Sequence, residues 1–182
     1  MQQQQIIGIL NKFGFIDFAF ISARDIVTAQ RVRAKCTFGC PNYGCGTCPP
    51  HTPDLRECRE FFSEYTDAII IRLKIKNTDT DELNSTYRRI SADLLAVERA
   101  LLSIGYPFAF AFNHSNCQIC EEGTCACING NRSNCVNKLD SRPGPTAFAV
   151  DMSATAQSAN FDVRFSNKDS NYFDKFALIM LK

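Results

Sequence analysis

Nine of the ten cysteines in this 182-residue chain fall in two short bursts, and any fold has to accommodate both as loops. The first burst reads Cys36, Cys40, Cys45 and Cys48, with Pro41 after the second cysteine and Pro49-Pro50 after the fourth. The second reads Cys117, Cys120, Cys125, Cys127 and Cys135. Each burst holds enough thiols, close enough along the chain, to wrap one metal centre. Cys36 to Pro53 carries three glycines and four prolines, and no periodicity survives there. Asn113 to about Leu139 is again Gly/Asn-rich and aperiodic.

What thiols do depends on compartment. The start, Met1-Gln2-Gln3-Gln4-Gln5, lacks the basic region of a signal peptide, and Lys12 and Asp17 interrupt the apolar residues after it. The longest apolar runs, such as Ala68 to Ile71 and Phe108 to Phe112, are strand-length, far short of the ~20 residues of a membrane span. The expectation is a cytoplasmic protein with no membrane contact. A reducing compartment disfavours disulfides and favours metal binding or redox chemistry. A formal net charge of +1 offers no global argument for nucleic acid. With 45% hydrophobic residues, the chain is expected to form one domain, 1–182, with a real core of its own.

Between the bursts the chain reads as helices and strands. Gln3 to Phe13 has an amphipathic helical pattern stopped by Gly14, and Ile16 to Ile21 a strand pattern, followed by Ala23-Arg24-Asp25 and another helix-like stretch. Asp54 is a good N-cap for a helix over Leu55 to Tyr65. Ala68 to Ile75 reads as a buried strand. The longest helix runs from Thr80 or Asp81 to about Ser103, with an apolar stripe through Leu83, Tyr87, Ile90, Leu94, Val97, Leu101 and Leu102. Pro107 to Phe112 is the next strand, Ala154 to Ala159 a short helix opened by Asp151 or Ser153, and Tyr172 to Leu181 a closing strand. This alternation predicts a compact α/β domain with a small mixed sheet, flanking helices and two cysteine-rich metal-binding loops, 36–53 and 113–139.

Thiolates are soft ligands that suit zinc, copper(I) or iron–sulfur clusters. Cys45/Cys48 and Cys117/Cys120 form C-x2-C hooks, which leave zinc open as an alternative. Two features favour clusters. Proline directly after a ligand cysteine recurs in ferredoxin-type loops, and here follows Cys40 and Cys48. A four-iron cluster is also wide, so its ligands can spread over a loop as Cys36, Cys40 and Cys48 do. Only one of Cys125 and Cys127 is needed if each site takes four ligands. Cys45 is either the fourth ligand of the first site or a bystander beside Cys48.

Cys58 lies one helical turn from Leu55 and Phe61-Phe62, the position of a buried structural thiol. His51 and His114, the two histidines, flank the bursts; each is a solvent-exposed loop residue or a substitute ligand. Arg31, Arg33 and Lys35 alternate before Cys36, so a strand would put all three on one side. There Arg33 and Lys35 would bind the anionic cofactor or recruit an anionic partner. Arg142 near Cys135 invites the same argument. There is no G-x-S-x-G, no phosphate-binding G-x-x-x-x-G-K-[ST], no G-x-G-x-x-G after a strand, and no C-x3-C-x2-C.

The chain resembles a family of predicted metal-binding proteins, domain-of-unknown-function family 2284, found mainly in anaerobic bacteria and archaea. The likeness runs from about Arg31 to Asp151 and includes the C-terminal strand. It is carried by Val32-Arg33-Ala34-Lys35-Cys36, Cys40-Pro41-Asn42-Tyr43-Gly44, Cys48-Pro49-Pro50, Cys58-Arg59-Glu60-Phe61, and Cys117-x2-Cys120 with a later cysteine, Cys135 and Arg142-Pro143. After Arg-Pro the family pattern carries a Ser and a Glu, where this chain has Gly144 and Thr146; Asp151 is kept and Cys45 is extra. The resemblance implies metal binding and names no reaction. The expectation is a protein with two iron–sulfur clusters of the 4Fe-4S type, in electron transfer or serving a redox partner protein. The alternatives are an enzyme whose first-loop cluster has an open iron for a small anionic or thiol substrate, and a zinc-stapled interaction module.

Overall fold

A computed structural model describes residues 2–120, 125–127, 134–163 and 171–182. Part of the second cysteine loop, 121–124 and 128–133, lies outside the described residues. In chain order the elements are α1 (Gln2–Lys12), β1 (Phe18–Ser22), a 3-10 turn (Ala23–Asp25), α2 (Gln30–Thr37), α3 (Leu55–Ser63), β2 (Asp67–Lys76), α4 (Thr80–Ser103), β3 (Phe110–Phe112), a second 3-10 turn (Pro145–Phe148), α5 (Met152–Ser158) and β4 (Tyr172–Leu181).

The four strands form one sheet in the order β1-β2-β4-β3, and every pairing is antiparallel. The α/β class stands, but the sheet is not mixed. β2 and β4 pair from Asp67 opposite Leu181 to Lys76 opposite Tyr172. β4 lies between β2 and β3, so those two run parallel, joined through α4. The chain order of strands and helices gives no sign of this insertion.

Helices cover both faces of the sheet, which is why β2 and β4 read as nearly continuous apolar runs. On one face Ile69, Ile71, Leu73, Ile75, Ala177 and Ile179 meet Ile6 and Leu10 of α1 and Ile90, Leu94, Val97 and Leu101 of α4. On the other, Ala68, Ile70, Phe112, Leu178 and Met180 meet Cys58 and Phe62 of α3, Phe148, Val150, and Ala156 of α5. Phe61 centres an aromatic group there, with ring centroids 5.4 Å from Phe148, 5.6 Å from Phe110 and 5.8 Å from Phe112.

Local chemistry sets the ends. Asp54 accepts from the Glu57 N–H at 2.8 Å, and the Glu57 carboxylate accepts from the Asp54 N–H at 2.8 Å, a reciprocal cap that starts α3. Asp79 caps α4, and Gly105, at φ +99°, follows its end, a conformation glycine adopts without strain. The helix-like stretch after Asp25 is α2, which buries no residue, so Arg31, Arg33 and Lys35 do not share one side as they would on a strand. Its alternating charges reflect general exposure on a short surface helix.

Candidate metal centre

The first cysteine loop is a run of tight turns. The N–H groups of Tyr43, Cys45, Cys48 and His51 donate to the carbonyls of Cys40, Asn42, Cys45 and Cys48 at 2.9–3.1 Å. Gly44, at φ +89°, donates to Pro49 O at 2.7 Å and ties the turns together. The Pro49-Pro50 peptide bond is cis. Arg33 holds the far end, donating to Pro53 O at 2.6 Å and to Thr52 Oγ1 at 3.2 Å, while Thr52 donates to Ala147 O at 2.8 Å.

The second loop starts where β3 stops. β3 pairs only as far as Phe112 opposite Leu178. Beyond that point the side of β4 that carries Asp174, Lys175 and Phe176 borders a cavity of about 430 Å3. Cys36, Cys40 and Cys48 line this cavity together with His114, Ser115, Gly144 and Thr146. A second cavity, of about 270 Å3, adjoins it and shares Asn42 and Asn116 as walls. Cys117, Cys120, Cys125, Cys127 and Cys135 line the second cavity, and so does Cys45. By spacing, Cys45 is a fourth ligand of the first site or a bystander; the fold turns it towards the other burst. The loops are laced together: Gly46 N–H donates to Cys127 O at 3.1 Å, Cys117 N–H to Thr47 Oγ1 at 3.4 Å, and Asn116 Nδ2 to Asn42 Oδ1 at 3.4 Å.

None of the ten cysteines is in a disulfide. Among the described residues, no three His, Cys, Asp or Glu side chains converge on one ion position. The sulfurs instead ring the two cavities, with Cys125 and Cys127 3.6 Å apart. For Cys36, Cys45, Cys48, Cys117 and Cys127, burial first and then neighbouring groups oppose ionisation. Burial first, then the Cys45, Cys40 and Cys36 thiols, pushes Cys48 up to about 12. Cys36 is raised by burial and then Cys40, against the pull of the Arg33 guanidinium. Cys45 is raised by burial, then by Cys125 and Cys40, one neighbour from each burst. Cys127 is raised by burial, then by Cys125 and Cys135. Backbone N–H groups of Ile119 and Arg142 partly offset the burial that raises Cys117, and Asn137 Nδ2 donates to Cys120 Sγ at 3.3 Å. A bound cation reverses this balance, because metal ligation deprotonates a thiol outright.

The basic candidates take structural or solvent-facing places. Arg31 pairs with Asp151 at 2.6 Å, joining α2 to the cap of α5. Lys35 is exposed, and neither cavity is lined by Arg33 or Lys35. Arg142 makes a two-pronged pair with Glu98 of α4 and donates to Leu139 O and Ser141 O, bracing the end of the second loop. Cys58 sits where its helical spacing predicts. It is fully buried in the core, donates to Pro53 O at 3.3 Å, and is pushed up to about 11, mainly by burial.

The histidines part company. His51 is exposed, whereas His114 is 6% exposed and lines the first cavity. Its ring packs on Tyr87 at a centroid distance of 4.8 Å, and neither ring nitrogen has a hydrogen-bond partner among the described residues. Burial, then the Lys175 ammonium, lowers it to about 4 and keeps the imidazole neutral. A buried polar atom without a partner costs about 1–3 kcal/mol. Sequence reasoning missed Asp174 and Lys175, which reach the cavity from a strand remote from either burst; only the fold brings them there.

No curated protein and no solved structure matches the chain. A family model does, over residues 19–181, and its description is predicted metal-binding protein. That span takes in the sheet, both cysteine bursts and both cavities. The chain therefore belongs to the predicted metal-binding proteins of domain-of-unknown-function family 2284.

Proposed function

We propose that this protein holds two cysteine-ligated iron–sulfur clusters side by side and works in electron transfer. The observation that carries the reading is the partition of nine cysteines between two adjoining cavities with shared walls. Cys36, Cys40 and Cys48 would hold the first cluster. Four of Cys45, Cys117, Cys120, Cys125, Cys127 and Cys135 would hold the second. The donor set fits: thiolates are the usual ligands of such clusters, and prolines follow Cys40 and Cys48 as they follow cysteines in ferredoxin-type loops. Thiols spread around a cavity suit a broad cluster better than a zinc ion, whose sulfurs all stand ~2.3 Å from one point.

When bound, the clusters supply one-electron storage and transfer. The chain does the rest. Inter-loop hydrogen bonds from Gly46, Cys117 and Asn116 fix the two thiol sets relative to each other. N–H groups aimed at Cys117 favour its thiolate, and Asn137 donates to the Cys120 sulfur. Protein purified without oxygen should be brown, with roughly eight irons and eight sulfides per chain if both clusters hold four irons. Colourless protein carrying two zinc ions and stable in air refutes this reading and favours a zinc-stapled module.

A further inference from the structure

We infer that His114 supplies the fourth protein ligand of the centre formed by Cys36, Cys40 and Cys48, through a ring nitrogen. The inference rests on the reading of that cavity as a cluster site. Three thiols line it, one fewer than a four-iron cluster takes from an all-cysteine site, while six line its neighbour. His114 lines the three-thiol cavity, is more than nine-tenths buried, and has two ring nitrogens with no hydrogen-bond partner among the described residues. Interiors rarely keep such an atom unless an ion or water satisfies it.

The ring is also well placed to be a ligand because its backbone is fixed. His114 N–H donates to Asn113 Oδ1 at 2.9 Å, Asn113 N–H donates to Pro143 O at 2.9 Å, and the Asn113 amide donates to Ser91 of α4 at 2.8 Å. A site residue mounted on a sheet end and a long helix holds its geometry better than one on a loop tip. His51, exposed and outside both cavities, has none of these features.

A neutral imidazole in place of a thiolate leaves the centre one negative charge poorer, which raises its reduction potential. The two centres would then be unequal, and an electron entering at the six-thiol centre would settle at the first. The ligation would add no redox chemistry of its own: the neutral ring would donate a nitrogen lone pair where an all-cysteine site uses a thiolate, and no proton would move.

The chain has two histidines, so selective 15N-histidine labelling followed by pulsed EPR of the reduced, cluster-loaded protein tests the idea without any substitution. We expect a strong histidine 15N coupling, kept in His51→Ala and lost in His114→Ala. His114→Cys should keep the full iron content with a lower potential, and His114→Ala should let added thiol or cyanide change the spectrum of the first centre. A wild-type protein with two clusters and no histidine coupling, or a coupling that survives His114→Ala, overturns this inference and leaves the two-cluster reading standing. A wild-type protein whose iron is insensitive to Cys48→Ser overturns both.

Discussion

Replacing Gly144 with alanine sets two effects of opposite sign against each other. Gly144 has φ −82° and ψ 158°, extended backbone that any residue adopts. On that ground alone alanine would stabilise the protein by about 0.4–1 kcal/mol, by narrowing the unfolded ensemble. The added Cβ, however, would stand 2.4 Å from Ser115 O and 2.9 Å from Ser115 C. These are backbone atoms, which cannot turn aside as a side chain would. The Ser115 peptide has to retreat by roughly half an ångström or more, a steric cost of about 1–3 kcal/mol for a packed interior. The clash wins, and the expected net loss is about 1–2 kcal/mol. Serine adds the same Cβ and should cost no less. Urea unfolding of the metal-free protein, followed by circular dichroism, reads the change as a lower midpoint at unchanged slope. Ser115 adjoins His114, so the same variant should also loosen iron at the first centre. A Gly144→Ala protein as stable as wild type, or more so, would refute the close approach of these two segments.

Arg142→Ala should cost about 3 kcal/mol in urea unfolding, because it strands the half-buried Glu98 carboxylate; Glu98→Gln in the same background should recover part of the loss. Cys45→Ser should disturb the spectrum of the centre that Cys135→Ser removes and spare the one that Cys48→Ser removes. Cys58→Ser should keep the full metal content while costing about 1–3 kcal/mol, for a hydroxyl placed in the core. In the metal-free protein Cys48 is raised to about 12 and Cys58 to about 11, against an ordinary value near 9.0. The unfolded thiols ionise first, so their contribution to stability is whole below about pH 9 and is lost as pH rises through about 11–12. Urea midpoints should therefore fall between about pH 8 and pH 10.5, and a midpoint that rises over this interval contradicts the assignment.

Much of the fold was legible because its signals are local. Tyr172–Leu181 forms β4 with the bounds its apolar run predicts, and Asp54 opens α3 through a cap visible in the sequence. The helix over Thr80–Ser103 follows from its stripe and its terminal glycine. The one-sided placement of Arg31, Arg33 and Lys35 did not hold, because α2 buries nothing and has no apolar face to mark its period, so alternating Arg and Lys imitate a strand. The sheet order was invisible because β4 enters between two strands that the chain completed much earlier. At the site, the separation of the bursts marked the cavities, but Cys45 lies three positions before Cys48 and faces the other cavity. Successive tight turns reverse its direction, and spacing along the chain does not record that. His114 carried a local hint, its place just before Cys117. Its environment includes the Tyr87 ring and the Lys175 charge, which no motif connects to it.

The insertion of β4 between β2 and β3 orders events during synthesis. The ribosome delivers β1, β2, β3 and both cysteine bursts before the strand that joins β2 to β3. Until Tyr172–Leu181 emerges, β2 has an exposed inner edge, and the wall of Asp174, Lys175 and Phe176 that bounds the first cavity does not yet exist. Long-range pairing of this kind forms late and leaves apolar strands exposed to aggregation in the interval. Metal delivered before Tyr172–Leu181 is in place would meet thiols on open, unbraced loops, so metal loading should follow the pairing of β4, which locks the sheet.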